Sequence, residues 1–200
     1  MKTLKLEFPE TLLPDVDKKS GSSLMEALSK RSSARNFSDK SLEISTVSEL
    51  LWAAAGVNRP DGRRTAPTAV NWQEIDIYAV TREGVYIYNA SKHSLVGVEK
   101  NDIREFAGKQ AFTSVAPITL VFVSNYDKIT GRHGDDETKK AFYSATDTGY
   151  ISQNVYLYCA SKGLITVALG LVDRETLHKK LNLNQNQHII LSQTVGYPEK

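Results

Sequence analysis

Several features that would assign a function at once are missing from this 200-residue sequence. It contains one cysteine, Cys159, so no disulfide can form within the chain. Its most apolar runs, ITLVFV and LITVALGLV, have the length of a strand and are too short to cross a membrane. Residues 1–21 lack the apolar centre of a secretory signal peptide. A lone cysteine is typical of a reducing compartment, which predicts a cytoplasmic protein with no membrane partner; an exported protein whose signal has been removed stays an alternative.

The chain also lacks an excess of charge of one sign. Its 25 lysines and arginines face 23 aspartates and glutamates, for a formal net charge of +2. Such a balance leaves no electrostatic footprint for a nucleic acid. We therefore expect no nucleic-acid partner, which disfavours a dimeric anion-binding or nucleic-acid module. Any local concentration of arginines needs a local explanation.

The common catalytic and nucleotide-binding motifs are missing too. The sequence has no Walker loop, no G-x-G-x-x-G after a strand, no Gly-x-Ser-x-Gly elbow and no Cys-x-x-Cys. The four histidines have no metal-ligand spacing; His133 lies near Asp135 and Asp136 in one polar loop, which is weak evidence for a metal. Cys159 lies among apolar neighbours, where a packed thiol is the usual interpretation. We expect no metal site and no nucleophilic side chain.

What the sequence does contain is a mixture of helix and strand patterns. Residues 1–21 are predicted to form an extended N-terminal arm, and residues 22–200 a single domain. Helices are predicted from a Ser22 or Ser23 cap to about Arg31, from a Thr46-x-x-Glu49 capping box to a left-handed Gly56, and over about 100–107, 137–162 and 173–182. Strands are predicted for EIDIYAV, GVYIYNA, PITLVFVSN, ITVALGLV and HIILSQTVGY. Because only some strands alternate with helices, the pattern favours an α+β fold.

The segment KRSSARNF, residues 30–37, is the first candidate binding segment. Arg31 and Arg35 stand four positions apart near a helix end, with Ser32 and Ser33 between them. A phosphate needs such a combination of fixed positive charge, planar bidentate donors and short hydroxyls. The segment therefore predicts an anion site. A solvated helix end and a kinase-accessible Arg-x-Ser surface are the alternatives.

Two later segments offer a different chemistry. In TAPTAVNWQ, residues 65–73, Pro67 restrains a loop whose hydroxyl and amide groups could read the polar edge of a heterocycle. The alternative is an ordinary turn-rich connection. In KGLITVALGLVD, residues 162–173, Gly170 interrupts an apolar strand. A glycine there often means that a flat or bulky group passes close to the backbone, and a bulge is the alternative.

Taken in this order, the segments resemble the nitroreductase family of flavoproteins. The family signature Arg-x-Ser-x-Arg/Lys-x-Phe stands at 31–37, its Ala-Pro-Ser/Thr-x-x-Asn-x-Gln loop at 66–73, its strand beside the flavin at 163–170 and its Val-Gly-Tyr-Pro at 195–198. The resemblance spans roughly residues 22–198. It implies a nitroreductase-like α+β sandwich with a central, mostly antiparallel sheet flanked by helices. It also implies an intertwined homodimer in which helix 137–162 is the central dimer helix.

The resemblance further implies a cofactor and the residues that bind it. Family members hold FMN at the subunit interface, take hydride from NADH or NADPH, and reduce electron-poor small molecules such as nitroaromatics or quinones by a ping-pong mechanism. By this analogy the residues divide into three groups: Arg31, Ser32, Ser33 and Arg35 on the phosphate and pyrimidine side; Pro67, Thr68, Ala69 and Asn71 reaching in from the partner chain; and Leu169 and Gly170 at the N5 edge. No catalytic side chain is expected, because the cofactor carries the chemistry.

The sequence departs from the family pattern at two positions. Many relatives carry a glutamate where Leu169 stands, so a contact at the flavin N5 edge must come from the backbone here. Many also place a lysine or arginine after Gly-Tyr-Pro, and Lys200 is the residue that could take this role. The loop and the short chain also resemble the branch that contains azoline oxidases. A specialised flavin oxidase of that type, or a flavin-binding protein without turnover, is therefore the alternative function.

Three arginines in the polar loop before the flavin-loop motif complete the candidates. Arg59, Arg63 and Arg64 could attract the phosphate of NADPH, and a solvated loop is the favoured interpretation.

Overall fold

A seven-stranded sheet forms the centre of the computed structural model, which describes residues 4–131 and 133–199. The strands are β1 (Glu10–Leu12), β2 (Ile75–Thr81), β3 (Gly84–Asn89), β4 (Ser94–Glu99), β5 (Ile118–Asn125), β6 (Ile165–Leu169) and β7 (Gln187–Gly196). The helices are α1 (Leu24–Lys30), α2 (Ile44–Ala55), α3 (Phe112–Val115), α4 (Glu137–Lys162) and α5 (Arg174–Lys180). The strand order is β1-β4-β3-β2-β5-β7-β6, and each described pair is antiparallel. The expected α+β class with an antiparallel sheet is confirmed.

Two layers of side chains cover the two faces of this sheet. Successive residues of a strand point to opposite faces. In β2, Ile77 therefore packs into the larger core with Leu50 of α2 and Val155 of α4, whereas Val80 faces the opposite core with Leu177 of α5. The sheet is thus enclosed between α2 and α4 on one side and α5 with the 103–107 segment on the other.

Helix α4 has the bounds that the sequence predicts. Its N-cap residue Asp136 accepts a hydrogen bond from the backbone N–H of Lys139 at 3.0 Å, and Gly163 ends it with a φ of 68°. Its 26 residues give a length of about 39 Å. The Cys159 thiol is fully packed and burial raises its pKa, which confirms the interpretation of an inert thiol.

Helix α2 ends at Gly56 as predicted, but its predicted N-terminal cap and the predicted left-handed conformation of Gly56 were wrong. The helix begins at Ile44 with Glu43 as its N-cap residue, so Thr46 lies inside the helix and forms no capping box. Gly56 ends it with extended backbone angles, φ −71° and ψ 155°, and has no left-handed conformation. Its requirement for glycine is steric, because a Cβ at position 56 would lie 2.3 Å from the Trp52 ring.

Two predictions in the middle of the chain also differ from the structure. The sequence analysis missed β4, which pairs with β3 and receives β1 on its other side. The helix expected over 100–107 is a single 3₁₀ turn, Arg104–Phe106. Here the buried Arg104 donates to Asp102, at 2.7 Å from Nη2 to Oδ2, and to the carbonyl of Ala116. These side-chain contacts stabilise the segment, which forms no regular helix. Such contacts leave no periodic pattern in the sequence.

The N-terminal arm packs against the domain through β1. Leu13, directly after β1, is buried, and its N–H donates to the carbonyl of His93 at 3.0 Å. Within residues 4–131 and 133–199, no helix combines the length and apolar character needed to span a membrane.

Candidate functional site

Residues 31–37 run as an extended segment beside β6 and the C-terminal end of β7. The N–H of Ala34 donates to the carbonyl of Thr166 at 3.1 Å, and Phe37 forms a bridge with Pro198. Phe37 itself is buried against Phe112. This anchoring leaves the predicted anion-binding side chains on the surface: Arg31, Ser32, Ser33 and Arg35 are all exposed.

Tyr156 of α4 connects this segment to the end of β6. Its hydroxyl is hydrogen-bonded to Ser33 Oγ at 2.9 Å and accepts the N–H of Ala168 at 2.9 Å. The guanidinium carbon of Arg31 lies 5.3 Å from the centre of the same ring. One side chain thus fixes two predicted binding segments relative to each other. The sequence analysis missed Tyr156, which lies 123 positions from Ser33 and 12 positions from Ala168.

The chain leaves β6 at Leu169, and the backbone beyond it faces open space. A Cβ added at Gly170 would meet no atom of residues 4–131 and 133–199 within 4 Å, whereas the neighbouring Leu169 is buried. The N–H of Lys109 donates to the carbonyl of Leu171 at 3.2 Å, and Gln110 beside it has a buried Oε1 without a partner among the described residues. Lys109 and Gln110 therefore adjoin the predicted N5 edge, and the sequence analysis missed both.

The loop that carries Pro67, Thr68, Ala69 and Asn71 has an unusual backbone. Val70, Asn71 and Gln73 adopt φ values of 51°, 58° and 52°, the left-handed region that residues other than glycine rarely occupy. For the β-branched Val70 the conformation is a genuine outlier. The loop is held by side chains: Thr68 Oγ1 accepts the N–H of Gln73 at 3.0 Å, and Gln73 Nε2 donates to Asn71 Oδ1 at 3.2 Å. A strained loop with several anchors presents Pro67, Val70 and Asn71 to solvent.

A buried pair of carboxyl groups lies beneath this loop. Asp147 of α4 accepts the backbone N–H of Ala69 at 2.8 Å. Glu74, which precedes β2, is fully buried, and among the described residues neither of its oxygens has a hydrogen-bond partner apart from the adjacent Asp147 carboxyl. Burial and the Asp147 charge raise the pKa of Glu74 to about 7, and burial raises the pKa of Asp147. The hydrogen bond from the Ala69 N–H favours the charged form of Asp147 and so opposes part of the effect of burial on its pKa.

Within one chain the two groups of predicted residues do not form a single site. Asp147 holds the loop and Tyr156 holds the 31–37 segment, and these two residues are nine positions apart on α4. Nine residues correspond to a rise of about 14 Å and a half-turn of rotation, so the side chains leave opposite faces of the helix. The structure therefore links Arg31 and Ser33 through Tyr156 to Ala168, the residue before Leu169, and places the loop on the other side of α4. Lys200 lies outside the described residues.

Several large apolar side chains are exposed on α1, on α4 and in the loop with Pro67 and Val70. Met25 is 74% exposed on α1, Val70 is 70% exposed in the loop and Phe142 is 64% exposed on α4. Leu24, Leu28 and Tyr150 are exposed as well. Clusters of such side chains mark a surface that another molecule covers.

No group of three or more metal-ligating side chains occurs in the part of the chain that the structure describes. His133 stacks near the ring of Tyr143 at a distance of 6.0 Å between the ring centres. Arg59 and Arg63 bond to their own loop neighbours: Arg59 Nε donates to Asn58 Oδ1 at 3.1 Å, and Arg63 pairs with Asp61 at 3.1 Å.

Comparison with known proteins agrees with this architecture. The nitroreductase family model matches residues 28–197. MJ1384, a nitroreductase-family protein of Methanocaldococcus jannaschii, is 34% identical over 171 residues, which cover 80% of this chain and 83% of that protein. The crystal structure of a nitroreductase-family protein of Ralstonia eutropha is similar with a TM-score of 0.89 at 38% identity, covering 99% of this chain and 93% of that one.

A third relative adds information on chemistry. An NADPH-flavin oxidoreductase of Vibrio harveyi is 28% identical over 107 residues, covering 51% of this chain and 45% of that protein. Because the family model matches most of its length, the chain belongs to the nitroreductase family and is an oxidoreductase.

Proposed function

We propose that the protein is an FMN-dependent oxidoreductase that takes electrons from NADH or NADPH and passes them to electron-poor small molecules such as nitroaromatics or quinones. The observation that carries this proposal is the arrangement around Tyr156. Its hydroxyl holds Ser33 beside the N–H of Ala168, and its ring lies against Arg31, so a cationic segment is fixed next to the open backbone at Gly170.

The residues present suit FMN on two counts. Arg31 and Arg35 with the serine hydroxyls supply the fixed cations and short donors that a phosphate monoester requires. The free space at Gly170 accommodates a flat ring against the backbone, since no side chain fills it. When bound, FMN supplies hydride and electron transfer, which no protein side chain provides.

The residues of the chain would then bind FMN, orient it and adjust its electronic properties. Arg31 or Arg35 beside the pyrimidine edge stabilises the negative charge that a reduced flavin carries. The side chain of Leu169 cannot form a hydrogen bond with the flavin. The contact at the N5 edge would therefore come from a backbone N–H at Leu169 or Gly170. Lys109 and Gln110, which adjoin this backbone, extend the polar edge with a cation and an unpartnered amide oxygen.

We further propose that two chains complete each site. The loop with Pro67, Thr68, Ala69 and Asn71 lies across α4 from Arg31 in its own chain, so it serves the site of the partner. The exposed apolar side chains of α1, α4 and Val70 are suited to be covered in such a homodimer.

The visible absorption spectrum tests this function. The purified protein, supplied with FMN if needed, is expected to show flavin bands that bleach with anaerobic NADH or NADPH and return with a nitroaromatic or a quinone. Bands that no nicotinamide bleaches would instead favour the specialised oxidase or a flavin-binding protein without turnover. A protein that takes up no FMN would contradict the proposal altogether.

A further inference from the structure

Arg64 differs from the two other arginines of its loop in the direction of its side chain. Val57 and Arg64 form a bridge that closes the loop, and Asp61 with Arg63 lies outward at its tip. Arg64 instead lines a cavity of about 340 Å³ between this loop and the strands β2, β3 and β4. Its Nε is buried and has no hydrogen-bond partner among the described residues.

The carboxylates nearby do not satisfy this guanidinium. Asp76, on the cavity wall, already pairs with Lys128 at 2.5 Å and accepts from Asn125 Nδ2 at 3.4 Å. In the described part of the chain, no carboxylate lies within the 4.0 Å ion-pair distance of Arg64. Burial lowers the pKa of Arg64, yet an arginine keeps its charge in proteins. Asp76 is the carboxylate with the largest effect on Arg64, and Glu74 acts more weakly. Lys128 also lines the cavity, so Arg64 and Lys128 share Asp76 as the carboxylate of the cavity wall, which leaves that wall with a net charge of +1.

The rest of the wall determines what kind of anion fits. Apolar side chains of Val57, Ile87, Ala90 and Val96 form part of it, so the occupant needs an apolar body. The volume is at the lower end of ligand sites and corresponds to a compact molecule of about ten non-hydrogen atoms. With Asp76 in the same wall, a dianion such as a phosphate monoester is disfavoured against a singly charged group. A whole dinucleotide is too large for the space.

We propose that this cavity binds a small organic monocarboxylate, with its carboxylate on the Arg64 guanidinium and its apolar body against Val57 and Ile87. The planar guanidinium can give a carboxylate two parallel hydrogen bonds from its terminal nitrogens, whereas its Nε is buried and out of reach of a molecule in the cavity. Gln73 lines the same cavity, and its Nε2 donates hydrogen bonds to Gly62 O and Asn71 Oδ1. Its amide hydrogens are therefore not available to bind the anion.

Calorimetric titration of the FMN-loaded protein with sodium benzoate and with benzamide, at constant ionic strength, tests the proposal. The two probes share a ring and differ in charge. We expect one benzoate to bind per chain, and benzamide to bind at least tenfold more weakly. Equal binding of the two probes, or no benzoate binding, would overturn the proposal. Inorganic phosphate binding more tightly than benzoate would overturn the assignment to a monocarboxylate.

Matched arginine variants locate the site. Arg64→Gln is expected to weaken benzoate binding at least tenfold, whereas Arg63→Gln, which removes the same charge from the exposed neighbour, is expected to leave it unchanged. Equal losses would indicate a general charge effect, and retained binding in Arg64→Gln would place benzoate elsewhere, for instance over the flavin; both outcomes overturn the proposal. If Arg64→Gln does not fold, Ile87→Trp serves instead, because it fills the cavity without changing charge. Unchanged benzoate binding in Ile87→Trp would also overturn the proposal.

Discussion

Asp147 Oδ2 accepts the backbone N–H of Ala69 at 2.8 Å, so a carboxylate in the middle of α4 holds the loop that the sequence motif assigns to the flavin. The acceptor comes from 78 positions further along the chain. The loop's left-handed residues are costly, of the order of 1–3 kcal/mol each, and persist only where surrounding contacts fix them. Asp147 is one of those contacts.

Replacing Asp147 by alanine should therefore loosen this loop. We expect Asp147→Ala to lower the free energy of unfolding by about 1–3 kcal/mol, because the Ala69 N–H loses its acceptor. FMN affinity should fall as well. Urea unfolding and FMN titration measure the two effects. Asp135→Ala, which changes an exposed acid in the 133–135 turn, is the control. Full stability and full affinity in Asp147→Ala would contradict a holding role.

The pH dependence of stability should reveal Glu74. Its pKa is raised from 4.5 to about 7 in the folded protein, so between these pH values the folded state binds more protons than the unfolded state. The stabilisation is fully present below pH 4.5 and is lost as the pH rises to 7, by up to about 3 kcal/mol. Glu74→Gln cannot titrate. We therefore expect the stability of the wild type, measured relative to Glu74→Gln, to decrease between pH 5 and pH 8; an increase would show that the sign is wrong.

The two arginines of the 31–37 segment should affect the cofactor. Arg31→Ala and Arg35→Ala are each expected to weaken FMN binding by about 1.5–3 kcal/mol, the scale of a charge-assisted hydrogen bond. Arg59→Ala removes an exposed arginine outside this segment and should not alter affinity. Fluorescence titration of FMN measures all three. Full FMN occupancy in both Arg31→Ala and Arg35→Ala would contradict the assignment of these arginines to the FMN phosphate.

The Tyr156 hydroxyl offers a more selective test. Tyr156→Phe keeps the ring under Arg31 but removes the partner of Ser33 Oγ and the acceptor of the Ala168 N–H. We expect a loss of about 1–2 kcal/mol in stability and a weaker FMN complex, because an amide loses its acceptor and the serine is released. Tyr150→Phe, an exposed tyrosine on the same helix, is the matched control. Identical behaviour of the two variants in unfolding and FMN titration would argue against this role.

The assembly state can be tested through α1. Met25→Glu places a charge in the exposed apolar surface of α1 and α4 and is expected to shift a homodimer to monomer, with loss of FMN. Leu12→Glu, on an equally exposed residue of β1, should leave the dimer intact. Sedimentation velocity distinguishes the two species. A dimer that persists in Met25→Glu would place the interface elsewhere.

The parts of this molecule that the sequence predicted are those with a local signal. Helix α4 was predicted with the bounds that the structure shows, and β5 was predicted from an uninterrupted apolar run. The left-handed conformation predicted for Gly56 at the end of α2 was wrong, because this glycine serves the close approach of Trp52, a contact that no turn preference encodes. The presence of a glycine in a sequence does not reveal whether the position needs a positive φ or needs the space left by the missing Cβ.

The candidate site shows the same division. The motif segments were found because each is continuous in sequence. Their supports were missed, because Tyr156 and Asp147 act across the fold and look like ordinary positions of a helix. Glu74 is the exception with a usable signal: a single acid directly before an apolar strand needs a buried partner or a shared proton.

The two outer edges of the sheet have a consequence for handling the protein. A long open edge offers unpaired backbone groups to a second chain and promotes aggregation. Here one edge is β1, which has only three residues, and at the other the N–H of Ala34 covers the carbonyl of Thr166 on β6. Deleting residues through Leu12 would expose the full length of β4, so a shortened protein should be more prone to form fibrils even where its flavin chemistry is intact.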